Sequence, residues 1–408
     1  RTRATGTEGM VMHAYLDHAA SAPLDPRIHA VLRDLTKAFG APGGLHRWAE
    51  RPALVLEEAR AHVAALVGAE PEEVIFTAGA TEARNLAIKG LYAANTALGS
   101  AIVTTAVEHP AVLSACRSIT RTGGRLTLVP VDARGLIDPA ALGAAIDVHT
   151  ALVSIHHAQG EIGAVQDLPA LVDAARAARA DVRIHLDAAQ TAGLLPIDMH
   201  ALGVDAVTIG GWPIGAPPWV GALILRAGAR LHPLIEGGLQ EHGKRAGAEN
   251  VPAIAALGEA ARIARQEFDA RAEHMTALSQ RLIAGLLRVP DVRLNGPRTG
   301  RLPGNVQVSV GWVEGESLVL ALAARGVACS PGSACTAHGG KAAPTLEAIG
   351  LEAPWTYSAV LFSLGPQTTE EEIDYTIGVV GEEVARLRRI SPIAPRQDTE
   401  TDRDERRP

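Results

Sequence analysis

Three stretches of this 408-residue sequence carry side chains whose type and setting could do chemistry. Residues 78–82 read AGATE, between an apolar run and a helix-like segment. Backbone N–H groups exposed at such a helix start, with the Thr81 hydroxyl, could hold a phosphate. The plainer alternative is an N-cap made by Thr or Glu. Asp187 ends an apolar run, where a buried carboxylate requires a cationic partner, although a lone Asp at a strand end also serves as a cap or turn residue. Cys335 lies in GSACTAH, a Gly-, Ser- and Ala-rich loop with little apolar anchoring. A thiol does chemistry as the thiolate, which demands exposure and a lowered pKa, and the competing reading is a small exposed loop residue.

Other candidates are weaker. His156, His157 and His185 invite a metal reading, but their spacing matches no zinc signature, and no metal site is expected. Cys329, in VACS, reads as a buried small hydrophobe, and Cys116 as structural on a helix. With no CxxC pair, the cysteines suit a reducing compartment, and the cytoplasm is the expectation.

These residues must be positioned by elements that the pattern reveals. Apolar or β-branched runs at 74–76, 102–105, 126–129, 152–155, 182–186, 204–209 and 220–225 alternate with longer helical patterns and predict buried strands. That alternation implies an α/β fold with a mainly parallel sheet, whose ligands bind beyond the carboxyl ends of the strands. The helix before the first of these strands shows a stripe of Val55, Ala59, Val63 and Leu66, with Gly68 placed as its C-terminal cap. A helical region at 250–287, strands at 306–310 and 357–364, and helices at 315–325 and 369–387 read as a smaller α/β domain.

Composition narrows the function classes. At 47% apolar content the chain can bury large cores without disulfides or a structural metal. A net charge of −7 and the absence of a basic run argue against a nucleic-acid partner. No apolar stretch reaches the roughly 18 to 20 residues that span a bilayer, so no membrane partner is expected.

Longer segments carry a family resemblance: YLDHAASAPLDPR at 15–27, FTAGATEARNLAIKG at 76–90, TAVEHPAVL at 105–113, GEIGAVQDL at 160–168, HLDAAQTAG at 185–193, GSACTAH at 332–338 and FSLGPQTTEEEIDYT at 362–376. Together they resemble the class V aminotransferases and, within them, the cysteine desulfurases. The resemblance implies a fold-type I homodimer that uses pyridoxal phosphate, with active sites at the dimer interface. It divides the chain into an N-terminal extension at 1–14, a large cofactor-type domain at 27–269, and a small domain made of 15–26 and 270–394. The charged tail at 395–408 has few apolar residues to bury and is expected to be disordered.

The resemblance also assigns roles. Asp187 would pair with the protonated pyridine nitrogen, His109 would stack on the ring, Gln190 would hydrogen-bond the ring hydroxyl, and Thr81 would lie on the phosphate side. Cys335 would take sulfur from the substrate and carry it as a persulfide. Other positions depart from the family. Its Ser-Gly-His-Lys pattern is replaced by Gly210, Gly211, Trp212 and Pro213, and proline has no amine with which to form a Schiff base. Trp212 is expected to fill the vacated phosphate space. In the loop at 240–250, which reaches the partner's phosphate site in the family, the usual Thr is Ala248. The Asn that lies against the ring is Gly160, and the Arg that grips the substrate carboxylate with two hydrogen bonds is Leu361. Lysine is otherwise scarce, with Lys37, Lys89, Lys244 and Lys341 making up the whole set, and none is expected to replace the missing amine.

These residues predict a cysteine desulfurase-like protein with a degenerate cofactor site and no covalently bound pyridoxal phosphate. It would act through Cys335 as a sulfur carrier or partner subunit, either as a homodimer or with an active paralogue or sulfur-acceptor protein. Two alternatives stand beside it: an active desulfurase that forms a Cys335 persulfide from L-cysteine, and a repurposed pocket with a lysine-independent reaction.

Overall fold

A computed structural model describes residues 12–35, 37, 39–332 and 343–392. Among the described residues twelve strands form in chain order: β1 Ala14–Tyr15, β2 Val74–Thr77, β3 Ala101–Thr105, β4 Arg125–Val129, β5 Thr150–His156, β6 Arg183–Asp187, β7 Ala206–Gly210, β8 Gly221–Leu225, β9 Val292–Leu294, β10 Asn305–Val310, β11 Val327–Ala328 and β12 Ala359–Ser363. A seven-stranded sheet runs in the order β2-β8-β7-β6-β5-β3-β4. Its neighbours are parallel except around β8, which is antiparallel to both β2 and β7. Strands β5 and β7 are buried along their whole length, because helices cover both faces, and this is why they read as continuous apolar runs. The architecture is the α/β fold with a mainly parallel sheet that the alternation predicts.

The covering helices fit closely. Helix Arg47–Leu66 packs along Val251–Gln266, and a Cβ on Gly258 would come within 2.4 Å of the Ala59 Cα, so only glycine allows this approach. Gly68 takes the left-handed conformation (φ +63°) just past the first of these helices, as a C-terminal glycine should. The predicted stripe is shifted in one place: Leu56 is buried and Val55 only half-buried. The helical region expected at 250–287 is two helices, Val251–Gln266 and Phe268–Leu286, broken at Glu267. Glu267 there accepts hydrogen bonds from both Arg27 and Arg271.

A second sheet, β12-β10-β9, is antiparallel, and β1 pairs in parallel with β11. A separate core gathers Leu16 with Leu282, Val306, Val308, Phe362 and Val380, so the start of the described chain packs among residues near its end. No helix among the described residues is long and apolar enough to cross a membrane. The tail at 395–408 and the loop that holds Cys335 lie outside the described residues.

Candidate functional site

The carboxyl ends of β5, β6 and β7 open on a cavity of about 310 Å³, lined also by Ser330 and Leu361. The structure brings Thr81, His109, Gly160, Asp187, Gln190, Gly210, Gly211, Trp212, Pro213 and Leu361 to this one cavity. Ala248 is not among its lining residues and is exposed on its own loop. Cys335 lies outside the described residues.

The wall under β6 is polar and tightly paired. Arg84 Nε donates to Asp187 Oδ2 at 2.7 Å, and both side chains are buried. The Ala189 N–H donates to the other oxygen, Oδ1, at 3.1 Å. Burial pushes the Asp187 carboxyl up, but the charge and hydrogen bond of Arg84 outweigh it and hold the group below its usual range. The cation required by a carboxylate at this strand end is therefore supplied by the chain itself. Sequence reasoning missed Arg84. Its signal was an arginine on the same helical segment as buried Ala83, Leu86 and Ala87, within the family-like run at 76–90.

Neighbouring groups are neutral or close to it. His109 caps helix Pro110–Thr120, its Nδ1 accepting from the Ala111 N–H at 3.0 Å, and burial with the nearby Arg84 charge lowers its pKa to about 4. His185 sits between Ser154 Oγ and Thr208 Oγ1, each at 2.9 Å, and burial lowers it to about 4 as well. It is a satisfied core histidine. Among the described residues no three or more His, Cys, Asp or Glu side chains are grouped to hold a metal. Burial pushes the Glu161 carboxyl up to about 7, and its Oε2 has no hydrogen-bond partner among the described residues. Glu161 is a further cavity residue that sequence reasoning passed over, inside the GEIG segment.

The remaining walls are altered together. A Cβ on Gly160 would lie 1.6 Å from Gln190 Oε1, so the Gln190 amide occupies the space that a side chain at 160 would need. Pro213 lies in the single 3-10 turn Trp212–Ile214 that follows β7. Leu361 is buried in β12, its N–H and C=O exchanging hydrogen bonds with Ser330 at 2.7 and 3.0 Å. At the start of helix Ala80–Asn85, Glu82 reaches back to accept the Ala78 N–H at 2.8 Å and is held by Arg245 at 2.9 Å. One backbone donor at the proposed phosphate position is thus taken by a carboxylate, and the Thr81 side chain makes no cap. Cys116 and Cys329 are buried, with thiols pushed up to about 12 by burial, which leaves them inert as expected.

These residues do not fit a Schiff-base-held pyridoxal phosphate. Among the described lining residues none is lysine, Pro213 carries no amine, and the Asp187 charge is already paired with Arg84.

Comparison with known proteins places the chain. The aminotransferase class-V family matches residues 14–376. The cysteine desulfurase IscS of Dictyoglomus turgidum is 40% identical over 385 residues, covering 94% of this chain and 97% of its own. A solved NifS-like protein superposes with a TM-score of 0.87 at 30% identity, covering 92% of this chain and all of its own. DndA from Streptomyces lividans superposes with a TM-score of 0.72 at 32% identity, covering 86% of this chain and 99% of its own. A match that spans both sheets and the cavity between them leaves one assignment: the chain belongs to the class-V aminotransferase family of fold-type I, pyridoxal-phosphate-dependent proteins, among the cysteine desulfurases.

Proposed function

We propose that this chain is a cysteine desulfurase-family protein that no longer performs the Schiff-base reaction and acts through Cys335 as a sulfur carrier or partner subunit. The observation that supports it is Pro213 on the cavity wall, with no lysine among the described lining residues. A fold hosts many functions and the site decides among them; among its described residues this site lacks the group on which the family's chemistry starts. In this reading the Cys335 thiolate attacks the outer sulfur of a donor persulfide. The donor's inner sulfur leaves as a thiolate and Cys335 becomes the persulfide, so no outside oxidant or reductant is consumed. The protein works in the cytoplasm as a family-type dimer, with itself or with an active paralogue. The exposed Ala248 loop supports a role for that segment against a neighbour.

Purified protein given L-cysteine is expected to yield no alanine and no Schiff-base absorbance. Incubated with a persulfide donor, it is expected to gain one sulfur atom in mass at Cys335, and Cys335→Ser is expected to gain none. A visible absorbance abolished by borohydride would overturn the reading, and native mass spectrometry after co-expression would distinguish homodimer from heterodimer. A second reading, an active desulfurase that forms the Cys335 persulfide from L-cysteine, is favoured by 40% identity over 94% of the chain to an IscS protein. Alanine release at a rate that follows enzyme concentration would establish it.

A further inference from the structure

Arg84 is an unusual buried arginine. Its side chain is only 6% exposed, yet among the described residues Asp187 is its one hydrogen-bond partner, and the bond uses Nε alone. A guanidinium presents five N–H donors in a planar fork, so the two terminal nitrogens keep their donors unused. Arg84 lines the cavity of about 310 Å³, where those nitrogens can meet a ligand.

We infer that the cavity is a receptor for a small carboxylate, gripped by the terminal nitrogens of Arg84 while Asp187 fixes the guanidinium through Nε. A carboxylate is the anion whose two oxygens match that fork, and the pairing is stronger than one between neutral groups. One lining carboxyl bears on it: Glu161, raised to about 7 by burial, is about half protonated at neutral pH, and acidity below that removes its charge. Arg84 is the only permanently charged cation among the described lining residues, and His109 is neutral at physiological pH. The Asp187 charge is already compensated by Arg84 itself. Leu361, Val107 and Pro110 provide apolar walls for the body of the ligand. The carboxylate anchor has thus moved from position 361 on β12, where the family resemblance places an arginine, to the helix that begins at Ala80. The inference requires neither Cys335 nor a Schiff base, so it stands or falls apart from the sulfur-carrier reading.

Isothermal titration calorimetry of the full chain with pyruvate and benzoate, each set against its amide, tests it. The carboxylates are expected to bind about 10- to 100-fold more tightly than pyruvamide and benzamide, the range of a charge-assisted pair. Arg84→Lys keeps the charge but not the fork and is expected to weaken both carboxylates about tenfold. The double variant Arg84→Met/Asp187→Leu removes the pair without leaving a lone buried charge and is expected to lose the preference for carboxylates. Equal affinity for acid and amide, no measurable carboxylate binding, or a preference retained in the double variant would each overturn the proposal. If the double variant does not fold, unchanged affinity in Arg84→Lys does so alone.

Discussion

Two of the buried arginine–carboxylate pairs among the described residues are built to opposite ends. Arg60 meets Glu241 through both terminal nitrogens, at 3.0 and 3.1 Å, while Nη1 also donates to the Val74 carbonyl at 2.6 Å. Nε reaches Glu57 at 3.4 Å, and Glu241 accepts the Phe76 N–H at 2.9 Å. Arg84 makes one bond, to Asp187, and lines a cavity. The first pair uses four of the guanidinium's five donors and ties the loop at 240–250 to β2 and helix Arg47–Leu66, holding Glu241 and His242 in left-handed backbone (φ 48° and 56°). The second leaves donors unused. Burial alone therefore does not reveal what a charged pair is for, and the count of unused donors separates a structural clamp from a site.

Breaking the clamp should have the largest effect. Glu241→Ala strands the buried Arg60 charge and the Phe76 N–H and removes what holds two strained residues. A loss of about 3 to 5 kcal/mol in urea unfolding is expected. Arg84→Met leaves Asp187 as a lone buried carboxylate and should cost about 3 kcal/mol at pH 7. Its sign with pH is distinctive. Arg84 holds the Asp187 carboxyl below its usual range, so its stabilisation is present above the unfolded pKa and lost as pH falls through the folded one. Without Arg84, burial acts alone and raises that pKa. The deficit of Arg84→Met relative to the unaltered chain should then shrink as pH is lowered from 7 toward 5, and a constant deficit would show that the loss is packing.

How far the sequence reveals each region follows the same division. The strands of the large sheet are legible because burial on both faces writes them as unbroken apolar runs, as at 152–155 within β5. Asp187, His109 and Gln190 are legible as a set through the family-like segments that contain them. Arg84 is not, because its partner lies 103 residues away and only the order of strands in the sheet brings the two together. The contact between Gln190 and Gly160 is hidden in the same way: each reads alone as a kept or a lost residue, and the structure shows one occupying the space of the other. What His185 does in place of the rejected metal reading is hidden in sequence, because its two hydroxyl partners, Ser154 and Thr208, come from neighbouring strands.

Acid should act next in size. His109, His157 and His185 are all lowered to about 4, chiefly by burial, so between pH 6.5 and 4 the unfolded chain holds protons there that the folded chain does not. Stability from these groups is lost as pH falls through that window. Glu161 opposes them: raised to about 7, it takes up a proton in the folded chain before the unfolded one. Three histidines outweigh one glutamate, and thermal unfolding should report a net loss of about 3 kcal/mol between pH 7 and pH 5. Glu161→Gln removes the opposing group and should steepen that loss.

The smallest structural change tests the cavity pair most directly. Pro213→Lys alters one residue of a short turn on the cavity wall and should shift stability by less than about 1 kcal/mol, since it removes only the rigidity of a proline. It restores an amine at the family's position. If Arg84 holds Asp187 firmly, that amine is not enough: borohydride would fix added pyridoxal phosphate to the variant, but Asp187 would stay paired with Arg84 and not be free for the role the family gives it. L-Cysteine should then give no alanine, with Leu361 also lacking a grip on its carboxylate. Alanine from Pro213→Lys alone would mean that Arg84 gives up Asp187 readily and that its bond, unlike the Arg60 clamp, is a resting contact open to exchange.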